Sequence, residues 1–469
     1  MNLPPVSLFR FGLRSIWKHK SQARQSNSAA KKNAKRIIQA PPFSQDTDMD
    51  FRKTLYVVLM ALGLNAGARS ASDMTPGQWL EAHNTQIISS SPNYPDYADL
   101  GAFGKAIGDA RIVLIGEQSH GEGNVFELKN RIVQYLHKKK GFDVLLIESG
   151  MFDGTALWNY AQAGGKVAEL APDRIFYMYS RTREGRGVLE YVDSQRTGKR
   201  PLILTSYDTP HAGLESVNNL LPSLQAFLAL RHSPALADPR WNAFVRAAQA
   251  VVADNFNGPP SDADKQALID LTPSVLAELD DSVAASGRMF ESPGFWRAQV
   301  ASIRAAASEQ WQISIGNVPY WAARDQQAAE NVAWLAEKFY TGKKLIVWAH
   351  NFHAGKFWGM TLGDFVVQHF GPEQIYSAGF VGYSGQMRDM DNTTVLDVPP
   401  PKAGLIEAEW RVAGLPMAFI DFKQQKKKPD WMSSIAARPF NYQDVDWPIF
   451  NAFDGLFYID QPVPATPVP

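Results

Sequence analysis

The chain contains no cysteine among its 469 residues. Disulfides, thiolate nucleophiles and zinc or iron–sulfur centres held by sulfur are therefore excluded together. Long apolar runs are also missing. The run Leu55–Leu64 is too short to span a bilayer, and no other segment comes nearer. There is no G-x-S-x-G elbow, no P-loop and no H-E-x-x-H, which removes the common α/β serine hydrolase, the P-loop nucleotide site and the zincin helix. What is present is 45% hydrophobic and 12% aromatic residues, enough for a substantial core. The length suits one large domain or two ordinary ones.

The N-terminus differs in character from the rest. Residues 1–48 hold nine basic and two acidic residues in a Ser/Ala/Asn-rich setting, the composition of a disordered leader. Met49-Asp50-Phe51-Arg52-Lys53, the apolar run Leu55–Leu64 and the small residues Ala66-Gly67-Ala68 then follow in the order of a secretory signal peptide. The expectation is a signal peptide over 49–71, translation starting at Met49, and an exported body, periplasmic or secreted. The competing reading is a basic leader followed by a buried helix. Without residues 1–72 the chain holds 35 basic against 44 acidic residues. That balance argues against nucleic acid as a partner, and nothing in the body suits stable membrane insertion.

Seven apolar runs read as strands: Arg111–Gly116, Asp143–Ile147, Pro201–Ser206, Lys344–Ala349, Gln374–Phe380, Met417–Asp421 and Leu456–Asp460. Helical periodicity lies between many of them, as in Val125, Leu128, Ile132 and Leu136. The alternation predicts a three-layer α/β fold, a mostly parallel sheet flanked by helices. It breaks between Ser206 and Lys344, where the pattern is helical over 214–231, 242–254, 261–286, 295–312 and 320–340. The expected organisation is an α/β domain of 73–211 and 341–462, with a helical insertion at 212–340 capping the strand ends. The tail 463–469 is Pro-rich and should be extended and loose.

Three of these runs end in the same kind of residue. Arg111–Gly116 leads into Glu117-Gln118-Ser119-His120, Asp143–Ile147 into Glu148, and Lys344–Ala349 into His350-Asn351-Phe352-His353. In open α/β sheets, chemistry collects at the carboxyl ends of strands. A single histidine after a strand is usually a loop residue bonded to backbone. Three of the chain's nine histidines beside two carboxylates form a functional-site pattern. Glu and His together suit general-base activation of water, the carboxylate holding the imidazole in the required tautomer. His350-x-x-His353 near two glutamates also suits a divalent metal, and spacing alone leaves both open. Asp208 falls at the same sheet edge, able to orient a loop or a pocket residue.

Gly116-Glu117-x-x-His120-Gly121, the strand ending in Glu148 and Trp348-Ala349-His350-Asn351-x-His353 resemble the erythromycin esterase family. Weaker matches are Arg324-Asp325 with Asn331, Met360–Gly371, and Phe453–Leu456. Together they run from about residue 110 to 460. The resemblance implies an ester hydrolase, metal-independent or weakly metal-linked, without a cofactor. Its best-known members open the lactone of macrolide antibiotics. Carried over, His120 is the general base, Glu117 and Glu148 support it, and His350 and His353 complete the pocket. The family often presents an arginine from the helix after the base; here the candidates are Lys129 and Arg131, grouped with Asp208 as substrate-contacting residues. Two alternatives accompany this reading: a divalent-metal hydrolase on the same residues, and an exported haem or iron-complex binder, which haem-binding relatives of the fold suggest.

Overall fold

The computed structural model describes residues 74–210, 212–425 and 428–469. The leader 1–48 and the signal peptide 49–71 lie outside the described residues. The main sheet takes its parallel strands from short apolar runs buried on both faces, and a two-residue polar strand lies at one edge. The strands are the edge strand β1 (Thr85–Gln86), β2 (Ile112–Ile115), β3 (Phe142–Gly150), β4 (Ile203–Asp208), β5 (Lys344–Trp348) and β6 (Ile375–Gly382). The hairpin β7 (Gly385–Arg388) and β8 (Val395–Val398) follows, then β9 (Met417–Asp421). A second hairpin, β10 (Ala437–Phe440) and β11 (Gln443–Val445), precedes β12 (Gly455–Ile459).

Eight strands pair in the order β1-β9-β12-β6-β2-β5-β3-β4. β12, β6, β2, β5, β3 and β4 run parallel, while β9 is antiparallel to β12 and to β1. All seven runs read as strands are members of this sheet. Its two faces follow the strand period. Ile112, Leu114, Leu345 and Val347 enter one core, and Val113, Ile115, Ile346 and Trp348 the other.

The helix α1 (Gly123–Lys140) covers the second face, together with α2 (Arg183–Gln195). Leu136, its predecessor Ile132 and Leu128 supply the buried stripe of α1, and Gly141 closes it at φ 79°, a left-handed position suited to glycine. The helical stretch 212–340 packs on the first face through α3 (Leu221–Leu230), α4 (Trp241–Val252), α5 (Asp262–Ala277), α6 (Pro293–Trp311) and α7 (Ala323–Trp334). It thus forms a layer of the sandwich and reaches the strand ends with the first turn of α7. The expected helix 261–286 stops at Ala277, because Asp280 accepts from the Ser282 N–H and offers the backbone a turn instead. Residues 74–469 form one compact unit.

The Pro-rich tail is extended but not loose, which corrects the expectation. Ala465 N–H donates to Gly121 O at 2.8 Å, Val468 N–H to Arg181 O at 2.9 Å, and Thr466 N–H to the Glu184 carboxylate at 2.8 Å. Its carbonyls accept from Gly123 and Arg183, each at 2.8 Å. An extended chain has no internal hydrogen bonds, so its backbone groups are free to pair with neighbours. Among the described residues no helix is long and apolar enough to cross a membrane.

Candidate active site

β2, β5, β3 and β4 lie side by side and parallel, so their carboxyl ends share one sheet edge. Glu117, His350, Glu148 and Asp208 are brought together for that reason alone. The turn after β2 is tight. A Cβ on Gly116 would lie 2.1 Å from Asn351 Oδ1. The glycine lets the Asn351 carboxamide cross to Phe380, whose N–H donates to Oδ1 at 3.1 Å, and to Pro439 O, which accepts from Nδ2 at 3.0 Å.

Glu117 is fully buried. Its Oε1 lies 2.9 Å from His120 Nδ1 and accepts from the Tyr179 hydroxyl at 2.8 Å, while Oε2 is paired with the Lys129 ammonium. The carboxylate makes Nδ1 the protonated nitrogen of His120 and leaves Nε2 as an acceptor. Burial outweighs the Glu148 charge and pushes the His120 pKa down to about 4. At neutral pH this imidazole is uncharged, with 15% of its side chain exposed.

Glu148 sits opposite, and single donor atoms of Glu117, His120 and Glu148 lie within 4.8 Å of one another. Burial alone would raise the Glu148 pKa, but His353, His120 and Arg324 prevail and bring it down to about 2. It accepts the His350 backbone N–H at 2.7 Å and faces Arg324 at 3.2 Å and His353 Nε2 at 3.5 Å. His353 Nδ1 is 2.5 Å from Asp325 Oδ1. Burial lowers its pKa, yet the Asp325 and Glu148 carboxylates overcome this and hold it above 6.5. Two histidines in one cleft thus have pKa values driven apart, the arrangement that separates a base from an acid.

Arg324 clamps Asp208 with Nε at 3.1 Å and Nη2 at 2.6 Å, and bridges to Glu148. Asp208 therefore anchors this arginine at the cleft. Three other candidates have partners of their own. His350 is next to His120, their rings 5.0 Å apart, but its Nε2 pairs with Gln118 O at 3.0 Å and its Nδ1 accepts from Phe352 N–H at 3.2 Å. Both ring nitrogens of His350 are thus engaged by backbone groups of the two loops. Lys129 is buried behind Glu117 and over Trp348, 4.1 Å from the ring centroid, where it offsets the Glu117 charge. Arg131, two positions further along α1, points elsewhere. It pairs with Asp99 at 2.5 Å and donates to Ser89 O and Asp96 O at 2.8 Å, tying down the N-terminal loop.

The donors of Glu117, His120 and Glu148 approach closely enough for a divalent ion. The donor set fits one poorly, since Lys129 occupies Glu117 Oε2 while Tyr179 and His120 share Oε1. Arg324, Asp325 and Tyr179 are the site residues that the strand-end pattern missed. Arg324-Asp325 stood out only as a family match, and Tyr179 carried no local signal.

The family model described as Erythromycin esterase matches residues 137–461, well over half of the chain. The chain belongs to the erythromycin esterase family. The match begins after the Glu117–His120 turn, so those two residues rest on the geometry above. YbfO of Bacillus subtilis (strain 168), named for an inferred hydrolase activity, is 27% identical over 453 residues, covering 89% of this chain and 98% of its own. Among solved structures, a Bacillus cereus protein superposes with TM-score 0.66 at 20% identity, over 83% of this chain and 98% of its own. A succinoglycan biosynthesis protein gives TM-score 0.64 at 19% identity, over 83% and 97%. A mutant of erythromycin esterase EreC in its open conformation gives 0.60 at 15%, over 82% and 98%. These likenesses show a shared α/β fold, and the family makes this chain a hydrolase.

Proposed function

We propose that this family member hydrolyses a carboxylic ester by activating water at His120, and that the lactone of a macrolide such as erythromycin is the substrate to try first. The observation that carries the reading is His120 itself: Nδ1 held by a buried carboxylate, Nε2 left as acceptor, and a pKa of about 4 that keeps it neutral. Nε2 takes a proton from water as the oxygen attacks the ester carbonyl, and Glu117 stabilises the imidazolium that forms. Arg324 and protonated His353 face the developing oxyanion. His353 then protonates the departing alkoxide, giving one acid and one alcohol for each water consumed. The proton on His120 returns to His353 through solvent. The substrate is a small molecule, and the signal-peptide pattern before the body makes this an exported enzyme, periplasmic or secreted, acting in antibiotic resistance if the ester is a macrolide.

The test is a hydrolysis screen of erythromycin and simple esters with purified protein, with and without chelator. Activity should survive chelation, and His120→Ala should lower kcat by roughly a hundred- to ten-thousand-fold while KM changes little. Near-normal turnover by His120→Ala defeats the assignment. Activity lost to chelator and restored by zinc or manganese replaces it with the metal reading.

A further inference from the structure

Beside the histidine pair lies an aromatic surface that the proposed chemistry does not use. Phe440 is 6.1 Å from the His350 ring and packs edge-on against Phe352 at 5.4 Å. Phe352 stands at 90° to His353, with 5.1 Å between centroids. Trp358 continues the surface, 6.2 Å from Phe352 and 6.2 Å from Trp447. These four rings are all partly exposed. They rest on Phe357, which is fully buried and lies 4.7 Å from Phe440 and 5.6 Å from Trp358.

The backbone supplies a second, independent observation. Trp358 and Gly359 are the central residues of a turn closed by Met360 N–H to Phe357 O at 3.2 Å, with φ of 57° and 74°. Glycine takes such a conformation freely, whereas a bulky L residue there is a genuine outlier. Strained residues cluster at functional sites, where the surrounding structure holds them for a purpose. The tryptophan packs against the core and stays partly exposed, so burial accounts for only part of it. Its placement makes sense if the indole is a contact surface.

We infer that Phe352, Trp358, Phe440 and Trp447 form a stacking shelf that selects esters bearing an uncharged, ring-sized apolar face next to the scissile bond. The inference rests on the ester-hydrolase reading of the same cleft. Aromatic faces favour flat apolar or aromatic partners over short flexible chains, since ring contacts add to simple area burial. The four side chains present no charge, so a carboxylate or ammonium stacked on them would lose hydration without a counter-ion. Specificity therefore comes from the stretch after β5, which carries Phe352 and Trp358, together with Phe440 at the end of β10 and Trp447 beyond β11.

The experiment compares methyl acetate with methyl 2-naphthoate, which carries the ring on the acyl side, and 2-naphthylmethyl acetate, which carries it on the alcohol side. Wild type should favour one ring-bearing ester over methyl acetate in kcat/KM, and the favoured ester identifies the side that rests on the shelf. Trp358→Gly should reduce that preference about tenfold, mostly through KM. Glycine relieves the backbone but gives up the packing of the indole on Phe357 and the core, so circular dichroism and Tm are measured alongside to confirm that the variant is folded at the assay temperature. Loss of ring selectivity in a variant that remains folded is the signature of a binding role. The naphthyl methyl ketone, which cannot be hydrolysed, gives a readout that does not depend on turnover: it should quench wild-type tryptophan fluorescence on binding and bind about tenfold more weakly to Trp358→Gly. Ketone binding without ester turnover would refute the hydrolytic reading and leave the shelf standing. Equal ketone binding by the two proteins, or an unchanged ring preference, would overturn the shelf.

Discussion

The opposed pKa values of His120 and His353 make a pH profile the sharpest test of the chemistry. The base must be neutral, and His120 loses its proton near pH 4, so the acid limb of kcat/KM should fall near 4 rather than at the usual 6.5 for histidine. The acid must be protonated, and His353 keeps its proton to a pH above 6.5, which places an alkaline limb beyond that value. Asp325→Asn separates the causes. Asn retains a carbonyl oxygen for the Leu362 N–H, which donates to Oδ2 at 3.0 Å, so the local shape can persist while the charge is removed. An opposite charge in contact typically moves a pKa by about one to three units. Removing it leaves burial, which lowers the pKa of His353, opposed only by Glu148. The alkaline limb should therefore move down by roughly one to three units, and the rate at pH 8 should drop with it. The acid limb should move far less and only upward, because burial, Glu148 and Arg324 still act on His120 and only the lowering influence of the His353 charge is weakened. The assay is kcat/KM on one ester from about pH 3 to pH 10, with circular dichroism confirming the fold at each end. An alkaline limb that does not move in Asp325→Asn, or a wild-type acid limb near 6.5, would refute the assignment of base and acid.

Other consequences are equally direct. Lys129→Met leaves the fully buried Glu117 carboxylate without its cation and should destabilise the protein by roughly 3–5 kcal/mol in urea unfolding; a change within about 1 kcal/mol would show that the pair contributes little. N-terminal sequencing of protein from its native host should find a start between Arg69 and Asp73, whereas a cytoplasmic protein retaining Met49 would end the export proposal.

The sequence by itself determined the elements and most of the cleft. Runs such as Ile112–Ile115 and Lys344–Trp348 are short, apolar and β-branched, which suits buried parallel strands in almost any context. Because chemistry gathers at the carboxyl ends of such strands, the polar residues at or just after those ends, Glu117, His120, Glu148 and His353, could be named without knowing the strand order, although β3 runs on past Glu148 to Gly150. Tertiary structure decided the partners. His350 and His353 are three positions apart, yet a backbone carbonyl and an N–H engage both nitrogens of the first, while Asp325 from α7 charges the second. Lys129 and Arg131 share one helix, and the rotation of about 100° per residue sends one to Glu117 and the other to Asp99. Arg324 enters the cleft from a stretch whose periodicity spoke only of packing. Local pattern encodes which face of an element is apolar; which partner meets a side chain depends on pairings hundreds of residues apart, and only the folded chain sets those.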